Sequence, residues 1–200
     1  MASVVSICNN ALVKVGATRI IALSDDTKQA RTLAAIFDVK RDAELAANPW
    51  TFAIKRALLP ASSTPPAFGW SFAYPLPVDY LALVEVGQDW AFYGGDTDVF
   101  TIETDANGSL AILTDQAAPL QVRYISRVTN AGLFPPLFVE AFACRLAAEI
   151  CEDLTQSTSK REAAWAERKQ ALREARRVNA IEQPPRANPP NSWERAMVQG

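Results

Sequence analysis

The residue types that most often carry enzyme chemistry are scarce in this 200-residue chain. There is no histidine, so the commonest general base and the commonest transition-metal ligand are both missing. Cys8, Cys144 and Cys151 follow no metal-binding spacing, and no histidine is present to activate Cys144 as a nucleophile. We interpret all three as small apolar core residues of a protein kept in a reducing compartment.

Acidic residues are the remaining candidates for catalysis or metal binding. A turn-rich stretch contains four of them, namely Asp96, Asp98, Glu103 and Asp105. Their order does not match a calcium-binding loop, so we predict no metal site there. The neighbouring Gly94-Gly95 pair indicates a hairpin rather than a phosphate-binding loop. A hydrolase using paired carboxylates stays open as an alternative, but the sequence predicts no cofactor and no enzyme.

Basic residues concentrate in a predicted helix near the C-terminus. Between Lys160 and Arg177 the chain has seven basic and three acidic residues, a local charge of +4, in a protein whose total charge is only −2. One interpretation is a helix face that is only solvated, and two others remain open. This face either meets an acidic protein partner or contacts the phosphates of a nucleic acid.

The last residues, 179–200, are predicted to form an extended arm. They contain four prolines and show no hydrophobic periodicity. Trp193, Met197 and Val198 are apolar groups that gain nothing in water, so they are typical of a short anchor that becomes ordered on a partner. A tail that folds back on its own domain is the alternative.

The elements that must position these residues indicate an α+β fold. It consists of a helical bundle body of about four helices, an inserted small antiparallel sheet of about five strands, and the arm. Helices are predicted over residues 3–15, from a Ser24 cap to near Asn48, from Pro135 through about Leu154, and from a Ser159–Glu162 capping box to about Val178. The domain ranges are 1–59 and 129–178 for the helical body, 60–128 for the linker and sheet, and 179–200 for the arm. No run of about 20 apolar residues is present, so no membrane span is predicted.

The segment NPWTFAIKRALL, residues 48–59, is predicted to be a joint in the core. Its residues 50–59 fit a strand or a helix, and the short run that ends at Pro60 favours a strand. Asn48-Pro49 ends the second helix, because a residue before proline is pushed out of the helical region. The predicted structural core is a set of large residues around this joint: Pro49, Trp50, Phe52, Phe138, Phe142 and Leu146.

Several stretches together resemble the tail tubular protein A family of short-tailed bacteriophages, the head-to-tail adaptors or gatekeepers. They are NPWTFAIKRALL, WSFAYPLPVDYLALVEV, LFPPLFVEAFACRLAAEICEDLT, and a Lys-rich, Ala-rich helix that ends in EARRVNA. Their order along the chain matches as well, and the likeness covers almost the whole sequence.

The resemblance implies a structural virion protein rather than an enzyme. Such adaptors assemble in the host cytoplasm into a homo-oligomeric ring, commonly dodecameric, at the head-tail interface of the virion. The ring joins the portal protein above to the tail nozzle below, and genomic DNA passes through its lumen without specific binding. The resemblance assigns portal binding to the arm residues Pro189, Pro190, Trp193, Arg195 and Met197. It makes the β insert, about 72–128, the tail-facing candidate.

A ring also implies a role for the basic helix. Neighbouring subunits pair charges across their interfaces, and we expect Arg168, Lys169, Arg173, Arg176 and Arg177 to lie at such a subunit interface. Strong positive charge in the lumen would hold DNA back, so we expect this face to meet a neighbouring subunit or the portal. A nucleic-acid-binding protein and a connector of another head-tail class remain the alternatives.

Overall fold

A computed structural model describes residues 2–87, 100–105 and 108–182 of the protein, and it confirms the predicted α+β class. Within these residues the helices are α1 Val4–Val15, α2 Lys28–Ala46, α3 Pro136–Thr155 and α4 Thr158–Ile181. The strands are β1 Ile54–Leu59, β2 Phe72–Pro75, β3 Tyr80–Val86, β4 Phe100–Thr104, β5 Leu110–Thr114 and β6 Leu120–Ser126. Short 3-10 turns at Thr51–Ala53 and Ala131–Leu133 lead into β1 and α3.

Helix α3 is the centre of the helical body. Phe138, Phe142, Leu146 and Ile150 are all buried along it, because a spacing of four residues keeps them on one face. Helices α1, α2 and α4 all pack against α3. The predicted apolar stripe is therefore the axis around which the other three helices are arranged.

Two helices begin at caps other than the predicted ones. The predicted Ser24 cap of α2 is wrong, because the helix begins after Thr27, whose hydroxyl accepts from the Ala30 backbone N–H at 3.2 Å. Asp25 instead accepts from two backbone N–H groups of the preceding loop. Helix α4 is capped by Ser157 and not by Ser159, and it continues to Ile181, past the predicted end near Val178.

The strands within the described residues form two antiparallel three-stranded sheets, which corrects the prediction of one sheet of about five strands. The inner sheet has the order β1-β6-β3 and the outer sheet has the order β2-β5-β4. Their shared core includes Tyr74 and Ile112 of the outer sheet and Val122 and Tyr124 of the inner sheet. The predicted strand at residues 90–93 lies outside the described residues.

The inner sheet joins the β region to the helices. Ile125 lies near the end of β6, on the face of the inner sheet that points away from the outer sheet. It belongs to the same core as α1, α2 and α3. Because β1 pairs along its whole length with β6, residues 54–59 belong to the β region rather than to the predicted domain 1–59. Residues 51–53 form a 3-10 turn, so the predicted strand begins four residues later than Trp50.

Candidate interaction surfaces

Trp50 fills the joint between the helical body and the inner sheet, as predicted. It is 2% exposed, and its ring meets Phe138 edge-on with centroids 5.0 Å apart. The indole N–H donates to the Glu44 carbonyl at 3.0 Å, so its one polar atom is satisfied. Phe52 is half-buried and contacts the Phe138 ring too. Pro49, which was predicted to belong to the core, is exposed instead, since it lies in the turn that leaves α2.

The end of α4 is fastened to this joint by Asn179. The buried amide of Asn179 accepts from the Thr51 backbone N–H at 2.8 Å and donates to the Pro49 carbonyl at 3.0 Å. The Thr51 hydroxyl also bonds the Glu182 carboxylate at 2.9 Å. The predicted arm therefore does not begin at 179, because residues 179–181 continue the helix. The last described residue, Glu182, is therefore held beside Thr51.

The only set of possible metal ligands within residues 2–87, 100–105 and 108–182 already holds a cation of the protein itself. Glu140, Cys144 and Glu167 lie together, and the Lys14 ammonium contacts both carboxylates, at 2.6 Å from Glu140 and 2.5 Å from Glu167. Burial on its own lowers the pKa of Lys14, but the hydrogen bonds to the two carboxylates outweigh it and raise that pKa. Lys14 thus takes the position that a metal ion would need.

The cysteine in this cluster is not an activated nucleophile. Burial raises the pKa of the Cys144 thiol to about 11, and burial raises the pKa of Cys8 to about 12. A thiol is reactive as its thiolate, so both groups stay protonated and inert near neutral pH. The cluster around Lys14 is best described as an ion-pair network that ties α1 to α3 and α4.

A second, buried ion network centres on Glu44 of α2. This side chain is 1% exposed, and its Oε2 atom accepts from Arg145 of α3 at 2.7 Å and from Arg168 of α4 at 3.0 Å. The Arg168 guanidinium also lies 5.2 Å from the centroid of the Trp165 ring, within range of a cation–π contact. Arg168 is thus paired within its own chain, and its place at a subunit interface stays a prediction.

The sequence gives only a faint signal for this network. Glu44 and Arg41 fall on the buried face of α2, where an apolar stripe becomes mixed. A charged residue on a core-facing stripe must be paired with an opposite charge or hydrogen-bonded, because an unpaired buried charge is costly. The partners come from two other helices, 101 and 124 residues further along the chain, so no local pattern identifies them.

The other four predicted interface residues form an exposed row along α4. Lys169, Arg173, Arg176 and Arg177 are all exposed, and their spacing of four, three and one residues places them on one side of the helix. None of them makes an ion pair or hydrogen bond through its side chain with another residue in the described part of the chain. We call these four residues the basic row.

The predicted portal-binding residues cannot be placed in the fold. Pro189, Pro190, Trp193, Arg195 and Met197 lie outside the described residues, as do Gly94, Gly95, Asp96 and Asp98. Of the predicted acidic cluster only Glu103 and Asp105 are described, at the end of β4 and directly after it. The Asp105 carboxylate accepts from the Ser109 backbone N–H at 2.9 Å, which closes the turn between β4 and β5.

Comparison with protein-family models and with curated proteins found no match to this chain. Among the helices that the structure describes, none is both long and apolar enough to cross a membrane.

Proposed function

We propose that this chain is the subunit of a head-to-tail adaptor, a ring that joins a capsid portal to the tail nozzle of a short-tailed bacteriophage. The observation that carries the proposal is the basic row. Four exposed cations lie side by side without a partner in the described residues, directly before the residues that contain Trp193. Such a surface is suited to pairing with acidic groups of another molecule.

The two parts of this surface have different roles in the proposal. Because Asn179 fastens the end of α4 to the joint, the C-terminal arm starts from a defined point on the body. The arm then binds the portal through Pro189, Pro190, Trp193, Arg195 and Met197. The basic row meets a neighbouring copy or the portal, and the lumen stays free of strong positive charge so that DNA passes without specific binding.

Imaging of the purified protein mixed with portal from the same source tests the proposal. We expect an additional ring on the portal, and a portal that remains bare would refute the adaptor function. A chain that lacks residues 184–200 should stay folded but lose portal binding. If that shorter chain binds the portal as well as the full chain, the arm does not carry the contact, although the adaptor function survives.

A matched pair of variants tests the role of the basic row. Replacing Lys169, Arg173, Arg176 and Arg177 together by glutamine should leave the free energy of unfolding within about 0.5 kcal/mol per site, because all four are exposed. The same change should abolish ring formation on the portal. Arg161→Gln is the control, since Arg161 is exposed but pairs with Glu152 of its own subunit, and it should leave the ring intact.

Nucleic-acid binding is the second candidate, and the same row of cations favours it. Four cations that neutralise four phosphates would give a slope of about −3.6 in a plot of log affinity against log salt concentration. We expect weaker than micromolar binding to duplex DNA near physiological salt. Micromolar or tighter binding with that salt slope, lost in the fourfold glutamine variant, would favour the nucleic-acid function over the adaptor.

A further inference from the structure

The β region has two free faces of unlike chemistry on opposite sides. Side chains alternate along each strand, so the residues that face away from the shared core form the free faces. On the inner sheet Ala57 and Val122 point into the shared core, and their neighbours Arg56, Leu58 and Arg123 lie on the other face. On the outer sheet Ile102 and Ile112 point into that core. On its other face Trp70 packs against the buried residues Ala73, Ala111 and Leu113, and Glu103 stays exposed.

The free face of the inner sheet has an excess of positive charge. Arg56 of β1 is directly opposite Arg123 of β6, although like charges in that position destabilise a sheet. Glu85 of β3 pairs with Arg123 at 2.6 Å, which leaves Arg56 exposed and without a partner among the described residues. Leu58 is 63% exposed next to it. We call this surface the basic groove, since Arg56, Leu58, Glu85, Gly87, Gln121 and Arg123 line one concavity.

The free face of the outer sheet has the complementary chemistry. A groove runs between this face and the proline-rich loop before β2, and Phe68, Trp70, Leu113 and Glu103 all contribute to it. Phe68 is 89% exposed. Glu103 is exposed and makes no ion pair with another described residue. We call this surface the acidic groove.

From this complementarity we propose that the basic groove of one copy of the chain binds the acidic groove of a second copy, with Arg56 against Glu103 and Leu58 against Phe68. Two basic grooves repel each other, and so do two acidic ones, so a symmetric pairing of like faces is disfavoured. The contact is therefore head-to-tail. Because each copy carries both grooves on opposite sides, the contact repeats and produces a closed ring or a filament. The preference for a closed ring over a filament rests on the proposed adaptor function.

Edge-strand protection is the competing explanation for Arg56, because β1 is an edge of the inner sheet and basic side chains on an edge prevent unwanted strand pairing. That role requires no acidic partner on another copy. It predicts that removal of Arg56 increases self-association, whereas the groove contact predicts that it decreases self-association.

Cross-linking between copies separates a head-to-tail contact from every symmetric one. The three native cysteines are fully buried, so an introduced surface cysteine reacts without competition. A mixture of the Leu58→Cys and Phe68→Cys variants, treated with a short thiol cross-linker, should give dimers, while each variant alone should give none. The double variant should give a ladder of larger species. The proposal would be overturned if either variant alone gave dimers. It would also be overturned if the mixture gave no dimers both in solution and on the portal.

Charge exchange tests the polar half of the contact. Arg56→Glu and Glu103→Arg should each weaken the cross-linking or sedimentation signal about tenfold, and the double exchange should recover much of it. Arg19→Glu is the matched control, because Arg19 is an exposed arginine in the loop of the helical body, and it should have no effect. Failure of the double exchange to recover any signal would argue against the pairing of Arg56 with Glu103. A ring on the portal without these cross-links would refute this interface alone, and cross-links without a ring on the portal would refute only the adaptor function.

Discussion

The buried carboxylate of Glu44 allows one substitution to test how three helices are held together. Glu44→Ala leaves Arg145 and Arg168 without the acceptor that they share. Both guanidinium groups also have an enclosed Nε–H that finds no acceptor among the described residues, and neither forms an ion pair with a second carboxylate there. Removing one member of a buried ion pair costs about 3–5 kcal/mol. The two arginine side chains keep 15% and 20% of their surface in water, so we expect the lower end, about 3 kcal/mol.

Urea denaturation followed by tryptophan fluorescence measures this loss as a change in the free energy of unfolding. Glu174→Ala is the matched control, because Glu174 is exposed on α4 and should cost less than about 0.5 kcal/mol. Arg168→Ala combined with Glu44→Ala should cost less than the sum of the two single changes, by at least about 0.5 kcal/mol, because both remove the same contact. A loss for Glu44→Ala no larger than that for Glu174→Ala would refute the idea that this network fastens α2 to α3 and α4.

Three further predictions concern Trp50, the Lys14–Glu140 ion pair and the cysteines. Trp50→Ala should lower the free energy of unfolding by about 3–5 kcal/mol, as large core truncations do, and a loss below about 1 kcal/mol in urea denaturation would contradict its role as the core of the joint. The pKa of Glu140 is lowered chiefly by its hydrogen bond to Lys14. The stability that this carboxylate contributes is therefore fully present above its ordinary pKa of 4.5 and is lost as the pH falls through the lower pKa of the folded state. Lys14→Met should make the melting temperature fall less steeply over this acidic range, and an unchanged dependence on pH would contradict the ion pair. All three cysteines are buried, and Cys8 and Cys144 have raised pKa values of about 12 and 11. The folded protein should therefore not react with a thiol reagent near neutral pH, whereas the urea-unfolded protein should react at all three thiols. Rapid labelling of the folded chain would contradict the burial of the cysteines.

Elements with a strong local pattern were predicted well. The stripe of Phe138, Phe142 and Leu146 repeats every four residues and forms the buried face of α3. Trp50 follows the Asn48-Pro49 helix stop, and packing then determines its burial against Phe138. In both cases the side chains that matter are large, apolar and regularly spaced, which is the information that hydrophobic periodicity contains.

Features that depend on distant residues were missed. The division of six strands into two sheets is decided by which strands pair, and β1 finds its partner β6 about 65 residues away along the chain. The α2 cap was misplaced because Ser24 and Thr27 are both good cap residues, and the structure uses Ser24's neighbour Asp25 to close the loop instead. The ion networks of Glu44 and Lys14 join residues that no short motif connects.

The basic residues of α4 show how the structure refines a prediction that the sequence can make only for the whole helix. From the sequence, the seven basic residues are predicted to act together, but in the fold some are paired within the chain and others are not. Arg161 and Arg168 pair with acids of α3 and α2 in the same chain, so their charges are met within the fold itself. Lys169 and the three arginines after it find no such partner in the described residues. An unpaired row of like charges gives the isolated chain no stability, and the proposal assigns its contribution to contacts with another molecule.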